Sequence, residues 1–468
     1  SNERDPQRDF LLKLRQESDN HVATVLAEFY PDFQQPQTVD GGWKAKAQAT
    51  EALMQQGVTC IYRGILLQSH FQDWQLFLGE SIPEHVEAFT LIGMPNLLVK
   101  QPGKSKFGDW LYFPINIQLG RRPKPEYKLI AAFHAQLLTA IQGVQPETTQ
   151  LILRRQNDYD VDLSIWIPRL QEILTECVLR LLRQKEPEVF ISRQRCNLCH
   201  WHSHCYAIAQ SQQHLSLVPG VTPTRYEYLQ TIGVATVESL AAACPINMGE
   251  VMGVEVASQL KQQAQSIVEN RAIRKSNPRL NRGRSIPSAT IELYFDIEAE
   301  PELNLDYLLG ILLVDRQTNT EQFYPFLAEH PQEEKAVWEQ FLGLVSQYEN
   351  APIFHFSEYE AETIKRLGKL YNTPRYQIEP VLSRLVDLHQ RVVTSAILPV
   401  ESYSLKSLAN WVGFHWRDPG ISGDQSVCWY DRWLKTGDRA LLESILRYNE
   451  DDCRATRHLK DWLVTFLH

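Results

Sequence analysis

Long apolar runs are missing from this sequence. No stretch approaches the roughly 20 residues that a membrane-spanning helix needs. No signal-peptide pattern opens the chain, which begins Ser1-Asn2-Glu3. A cytoplasmic, membrane-free protein is expected. Net positive charge is missing too, with a formal charge of −9. That excludes a polycation that coats nucleic acid by bulk attraction, but not local basic stripes. Cysteine is sparse, eight in 468 residues. This is cytosolic usage rather than a disulfide framework. What remains is ordinary for a soluble chain, 43% hydrophobic and 22% charged. At this length one core does not suffice, so two or three domains are expected.

Patterning divides the chain into four stretches. Residues 1–210 mix helical signals over Asp9–Phe29, Ala45–Gln56, Tyr127–Ile141 and Pro168–Gln184 with strand-like runs over Val58–Leu67, Ala88–Val99 and Trp110–Leu119. Residues 211–270 are helical with short loops. There Pro219-Gly220-Val221 and Ile232-Gly233-Val234 fit a helix-hairpin-helix unit whose turn aims backbone N–H groups at a phosphate. They fit a plain pair of antiparallel helices equally well. Residues 271–288 form a basic linker with Arg271, Arg274, Lys275, Arg279, Arg282 and Arg284. It reads equally as a solvated connector or as a stripe that tracks phosphates. Residues 289–468 form a separate α/β unit with strands over Thr290–Ile297, Tyr307–Val314, Thr320–Phe326 and Ala351–Phe356, and helices over Pro331–Gln347 and Leu441–Asp452. The fold class is multidomain α/β with a mixed sheet in the last unit.

Three acidic words in that last unit carry chemistry. Asp296 and Glu298 lie two apart on a strand, which puts both on one face and turns Ile297 into the core. Glu360 opens a helix after the Pro352–Phe356 strand. Tyr448 and Asp452 are four apart on a helix and share a face. Converging carboxylates repel unless a cation sits among them, and magnesium takes oxygen ligands. Two such ions serve in-line phosphodiester cleavage. Taken singly, each word also reads as solvated acids at the end of an element. Asp387 reads as a helix cap.

On these words residues 289–468 resemble the exonuclease domains of the ribonuclease H-like superfamily, of the type with four acids and a tyrosine in the third motif. The middle motif departs from that pattern: His355, Tyr359 and Glu360 stand where asparagine, an aromatic and aspartate are usual. The resemblance implies a 3′→5′ exonuclease on single-stranded DNA or RNA, with two Mg²⁺ or Mn²⁺ ions. Asp296 would bridge both ions, Glu298 and Asp452 would hold one, Glu360 would support the other, and Tyr448 would orient water. Lys406, at a helix start, would meet a phosphate or lie solvated at the surface, and Arg279, Arg282 and Arg284 are further contacts for the strand. The alternative is an inactive nucleic-acid-binding adaptor in DNA repair or RNA processing, with Glu360 an early sign of decay.

The first 210 residues resemble RecB-like nucleases of the PD-(D/E)xK type that carry an iron–sulfur cluster. The whole chain is similar to a bacterial family that fuses the two domains. His21 matches the histidine of that pattern's first helix. Asn96 replaces its aspartate, Asn116 and Gln118 replace its acid and lysine, and Ile130 and His134 replace its glutamine and tyrosine. Neutral amides do not offset a divalent charge, so this domain is expected to be inactive and to help bind substrate or to serve as scaffold. Lys100, Lys104, Lys106, Arg121, Arg122 and Lys124 flank it. Cys196, Cys199 and Cys205 survive, which by resemblance implies a 4Fe–4S cluster, its fourth thiolate upstream of residue 1 or Cys60. Zinc is the rival, because His200, His202 and His204 lie between these cysteines. Cys177, Cys244, Cys428 and Cys453 are expected reduced in cores.

Overall fold

Phe190 and Ile191 tie the cysteine-bearing segment to the helices that follow it. Phe190 packs edge-on against Tyr226, and the Ile191 amide donates to Ser216 Oγ at 3.0 Å. By compactness the chain therefore divides ahead of residue 210, into Leu12–Glu188 and a second unit that joins Ser1–Leu11 to Val189–His468. The computed structural model describes all residues except 1–3, 7, 38–40, 70–73, 80–85, 87–88, 155–156, 185 and 276–285, and the side chains of 157, 193 and 194. Arg279, Arg282 and Arg284 lie outside the described residues.

The Leu12–Glu188 unit is built on a five-stranded sheet in the order Cys60–Tyr62, Leu97–Ser105, Gly108–Gln118, Thr149–Leu153, Asn157–Val161. Gly108–Gln118 and Thr149–Leu153 run parallel, and the other neighbours antiparallel. Alternation along Gly108–Gln118 sends Ile115 and Ile117 toward Val22, Val25 and Leu26 of the Asp9–Phe29 helix. It turns Asn116 the other way, toward the Pro125–Gln142 helix. Each such aliphatic side chain contributes about 1.5–3 kcal/mol by leaving water. The last two strands carry no expected signal: they are short, and Asp158 and Asp160 break the apolar run. The helix expected from Pro168 starts at Leu163, because Asp162 caps it by accepting from the Ser164 amide at 2.9 Å.

In the second unit four helices, Pro223–Thr231, Val237–Ala242, Pro245–Met252 and Val254–Glu269, enclose Leu229, Leu240, Met248 and Leu260. Gly220 and Gly233 take left-handed backbone at their turns, φ 91° and 78°. The C-terminal sheet has the order Thr320–Leu327, Leu305–Asp315, Ile291–Glu300, Ile353–His355, Leu385–Asp387. Its first three strands are antiparallel neighbours, and Ile353–His355 runs parallel to both of its neighbours. Leu293 and Phe295 face Trp338 and Phe341 of the Glu334–Val345 helix. Tyr294, on the opposite face, meets Cys453 of the last helix, Arg439–Leu467. Cys428 and Cys453 are buried as expected, but Cys177 and Cys244 are exposed. Cys177 is on the solvent side of the Leu163–Leu182 helix and Cys244 is the extended residue ahead of the Pro245–Met252 helix, a distinction apolar patterning alone does not make. No described helix is long and apolar enough to cross a membrane.

Candidate active site

One strand face and one helix build the site. Glu292, Tyr294, Asp296 and Glu298 alternate onto the face that the Arg439–Leu467 helix covers. At one end Lys460 Nζ donates to Glu292 at 2.7 Å. At the other Asn449 Nδ2 donates to Asp296 Oδ2 at 2.7 Å. Helix and strand run in opposite senses, and their lengths match. Lys460 to Asp452 is two turns or so, roughly 12 Å of helix, and Glu292 to Asp296 is roughly 13 Å of strand. That match delivers Asp452 to the two strand acids.

Asp296, Glu298 and Asp452 each bring a carboxylate oxygen to within 4.8 Å of the other two. Donors hold them from behind. Ser426 Oγ donates to Glu298 at 2.5 Å, and Trp416 Nε1 donates to Asp452 Oδ1 at 2.7 Å. Asn449 is itself locked, because Gly310 on the neighbouring strand leaves room for its amide. A Cβ at Gly310 would stand 1.7 Å from Asn449 Oδ1. Of these four supporting residues, Asn449 lies inside the third acidic word and Gly310 interrupts an apolar strand. Trp416 and Ser426 carried no signal, since neither belongs to a periodic pattern that points at the acids.

Electrostatics follow from this crowding. Burial pushes Asp296 well above the usual carboxylate range, and the charges of Asp452, Glu298 and Glu360 push it further. Glu298 is pushed up to about 8 by burial and by Asp452, against the Ser426 bond. Asp452 is pushed up to about 7 by burial, against hydrogen bonds from Trp416 and Tyr448 and the charge of Lys406. Tyr448 is held far above the ordinary phenol value by burial and the three acids, so its hydroxyl stays a donor. Such a donor set fits an oxygen-liganded divalent cation, whose charge offsets what the acids impose on one another.

Glu360 stands just outside the three-acid group. Its Oε2 lies 3.3 Å from His355 Nδ1, both residues buried. Burial raises it and His355 opposes that rise. Lys406 is half-buried rather than solvated: its Nζ donates to the Ile421 carbonyl at 2.5 Å and lies 5.7 Å from the centre of the Trp416 ring. Asp387 caps the Leu388–Ser395 helix, accepting from the Gln390 amide at 3.1 Å.

Residues 293–464 match the model of the RNase_H superfamily. The C-terminal domain is ribonuclease H-like. No curated protein and no solved structure matches the chain. For the ribonuclease H-like domain the match and the acid group together support a nuclease-type, metal-dependent hydrolase that binds nucleic acid.

In the Leu12–Glu188 unit Asn96, Asn116 and His134, expected at the motif positions, are tied to one another or to backbone. Asn96 Oδ1 accepts from the Ile117 amide at 2.8 Å. Asn116 Oδ1 lies 2.6 Å from His134 Nδ1, and burial lowers His134 to about 4. The His134 ring fills the space above Gly93, where a Cβ would lie 2.7 Å from it. His21 is on the Asp9–Phe29 helix, over the opposite face of the sheet, its pKa lowered by burial. Lys100 and Lys106 are spent on the carbonyls of Gly57 and Ile141. Cys60 is buried among Val22, Leu97 and Ile115 in this unit, and burial raises its thiol to about 11. Cys196, Cys199 and Cys205 belong to the other unit. They are unpaired, and Cys205 is raised by burial and then by its two cysteine neighbours.

Proposed function

We propose that residues 289–468 act as a 3′→5′ exonuclease on single-stranded nucleic acid, using Mg²⁺ or Mn²⁺. The carrying observation is the gathering of Asp296, Glu298 and Asp452 from two elements into one group, with Tyr448 beside it. Asp296, Glu298 and Asp452 would hold the first ion and Glu360 would support a second. Bound ions of this kind stabilise the attacking and leaving oxygens of an in-line displacement. The chain's own residues set the stage. Asn449, Ser426 and Trp416 fix the carboxylates so that no reorganisation is needed when substrate arrives. Tyr448, kept protonated, orients the attacking water by hydrogen bonding rather than by taking its proton. The 3′ polarity and the single strand rest on the resemblance to four-acid exonucleases.

The test is a 5′-labelled single strand, DNA and RNA in parallel, incubated with Mn²⁺. A ladder shortening from the 3′ end is expected, abolished by chelator. An unshortened strand would favour the second reading, an inactive nucleic-acid-binding adaptor. That reading draws support from Glu360, which pairs with His355 and stands apart from the other acids.

For the cysteines we propose a 4Fe–4S cluster on Cys196, Cys199 and Cys205. The support is the Cys196, Cys199 and Cys205 spacing and the resemblance, with zinc on the same thiolates and His200, His202 or His204 as the rival. Cys60, expected as a candidate fourth thiolate, is instead a core residue of the Leu12–Glu188 unit. Broad absorbance near about 400 nm in the purified protein checks the cluster, and stoichiometric zinc without colour would replace it.

A further inference from the structure

Where the four-helix segment meets the ribonuclease H-like domain, within one compact unit, there is a cavity of about 230 Å³. Its charged lining is Arg225 and Lys275, and among the described residues that line it there is no carboxylate. In a chain of net charge −9 that exclusion of acids is informative. Both cations are fixed. Arg225 Nη1 donates to the Gly220 carbonyl at 2.6 Å, and Lys275 Nζ donates to the Val393 carbonyl at 2.7 Å. Each bond uses one proton and leaves the ammonium two and the guanidinium four. The wall behind them is held as well. Gln263 donates to the Leu398 carbonyl at 2.7 Å and accepts from the Tyr403 hydroxyl at 2.9 Å. Two half-buried cations with donors to spare and no counter-charge make an anion site. A guanidinium fork beside an ammonium suits phosphate oxygens.

Its place along the chain connects it to the acids. Tyr403 lines the cavity. Lys406, three residues on, is close enough to Asp452 to lower its pKa. Three residues span at most roughly 11 Å between Cα atoms. Val393 lines this cavity and also a larger one, of about 600 Å³, that includes Ser357, Tyr359 and Asp387 on the Glu360 side.

We propose that the Arg225–Lys275 cavity binds a backbone phosphate of the substrate strand, a few nucleotides from the reacting end. This rests on the reading of the domain as acting on single-stranded nucleic acid. The test is the salt dependence of oligonucleotide binding by the full chain, followed by fluorescence anisotropy in chelator so that nothing is cleaved. Each phosphate contact contributes about 0.7 to the slope of log K against log salt for a single strand. Lys275→Met and Arg225→Met are expected to weaken binding and to flatten the slope by about that amount each. Lys275→Arg is expected to keep the wild-type slope. Thermal unfolding checks each variant, and Lys275→Gln, which keeps a donor for Val393, carries the test if a methionine variant does not fold.

A wild-type slope in folded Lys275→Met or Lys275→Gln overturns the proposal. If wild type also trims strands with Mn²⁺, the exonuclease reading stands without it. Flattened slopes with no trimming would overturn the exonuclease and keep the cavity. If millimolar inorganic phosphate raises the melting temperature of wild type but not of Lys275→Met, while strand slopes stay equal, the site is for a free anion and the strand assignment fails.

Discussion

The two α/β units meet the same problem, polar groups beside a strand under a helix, with opposite solutions. In the ribonuclease H-like domain the strand presents Asp296 and Glu298, and the helix adds Asp452, so charge accumulates until all three carboxyls are pushed upward. In the Leu12–Glu188 unit the strand presents Asn116 and the helix answers with His134, held neutral by burial. The amide–imidazole pair closes on itself and fills the gap over Gly93. The acid group has no such internal partner, and its mutual charge is relieved by a proton or a cation. Like charges gathered in one pocket leave a mutual penalty standing, whereas an amide–imidazole pair that satisfies itself does not.

Substitutions can break that comparison. Asp296→Ala should reduce strand cleavage to background while Asn116→Ala leaves it unchanged, measured on the same labelled oligonucleotide. Loss with Asn116→Ala would move chemistry into the other unit.

Acid should unfold the Leu12–Glu188 unit through His134. Its pKa is about 4 when folded against 6.5 when exposed. Between those values the unfolded chain binds the extra proton, so stability is full above pH 6.5 and is lost as pH falls toward 4. The loss is on the order of 3 kcal/mol. Denaturant melts across that window check it, and His134→Gln should flatten the dependence.

Trp416→Phe keeps the aromatic packing and removes the donor to Asp452. Activity and metal affinity should fall about 10–100-fold, as for other supports of a metal ligand, seen as a raised Mn²⁺ concentration for half-maximal rate. Smallest is Gly310→Ala. It drives a methyl into Asn449 Oδ1 and should cost about 1–3 kcal/mol, with cleavage weakened because Asn449 holds Asp296. A Gly310→Ala enzyme of wild-type activity would remove Asn449 from the account.

Much of the site was legible in the sequence because two periodicities translate into geometry. Spacing by two on Ile291–Glu300 put Asp296 and Glu298 on one face, and spacing by four on the last helix put Tyr448 above Asp452. Trp416 was not legible because it lies in a loop, where no repeat ties sequence to direction, and Ser426 because a small hydroxyl on the buried face of the Gly423–Thr436 helix does not announce its acceptor. The half-burial of Lys406 was not legible for a related reason: its partner is the carbonyl of Ile421, and backbone carbonyls leave no mark on composition. The strands Thr149–Leu153 and Asn157–Val161 were hidden by their brevity and by the acids of the second. The unit boundary was hidden because Phe190 finds its partners, Tyr226 and His214, beyond the cysteines.

Direct binding of Mn²⁺, by electron paramagnetic resonance or calorimetry, tests the contrast between the two units most simply. Wild type and Asn116→Ala are predicted to bind the ion alike, and Asp296→Ala to lose it. Binding that survives Asp296→Ala, or wild type that takes up no manganese, would contradict a cation site at Asp296, Glu298 and Asp452.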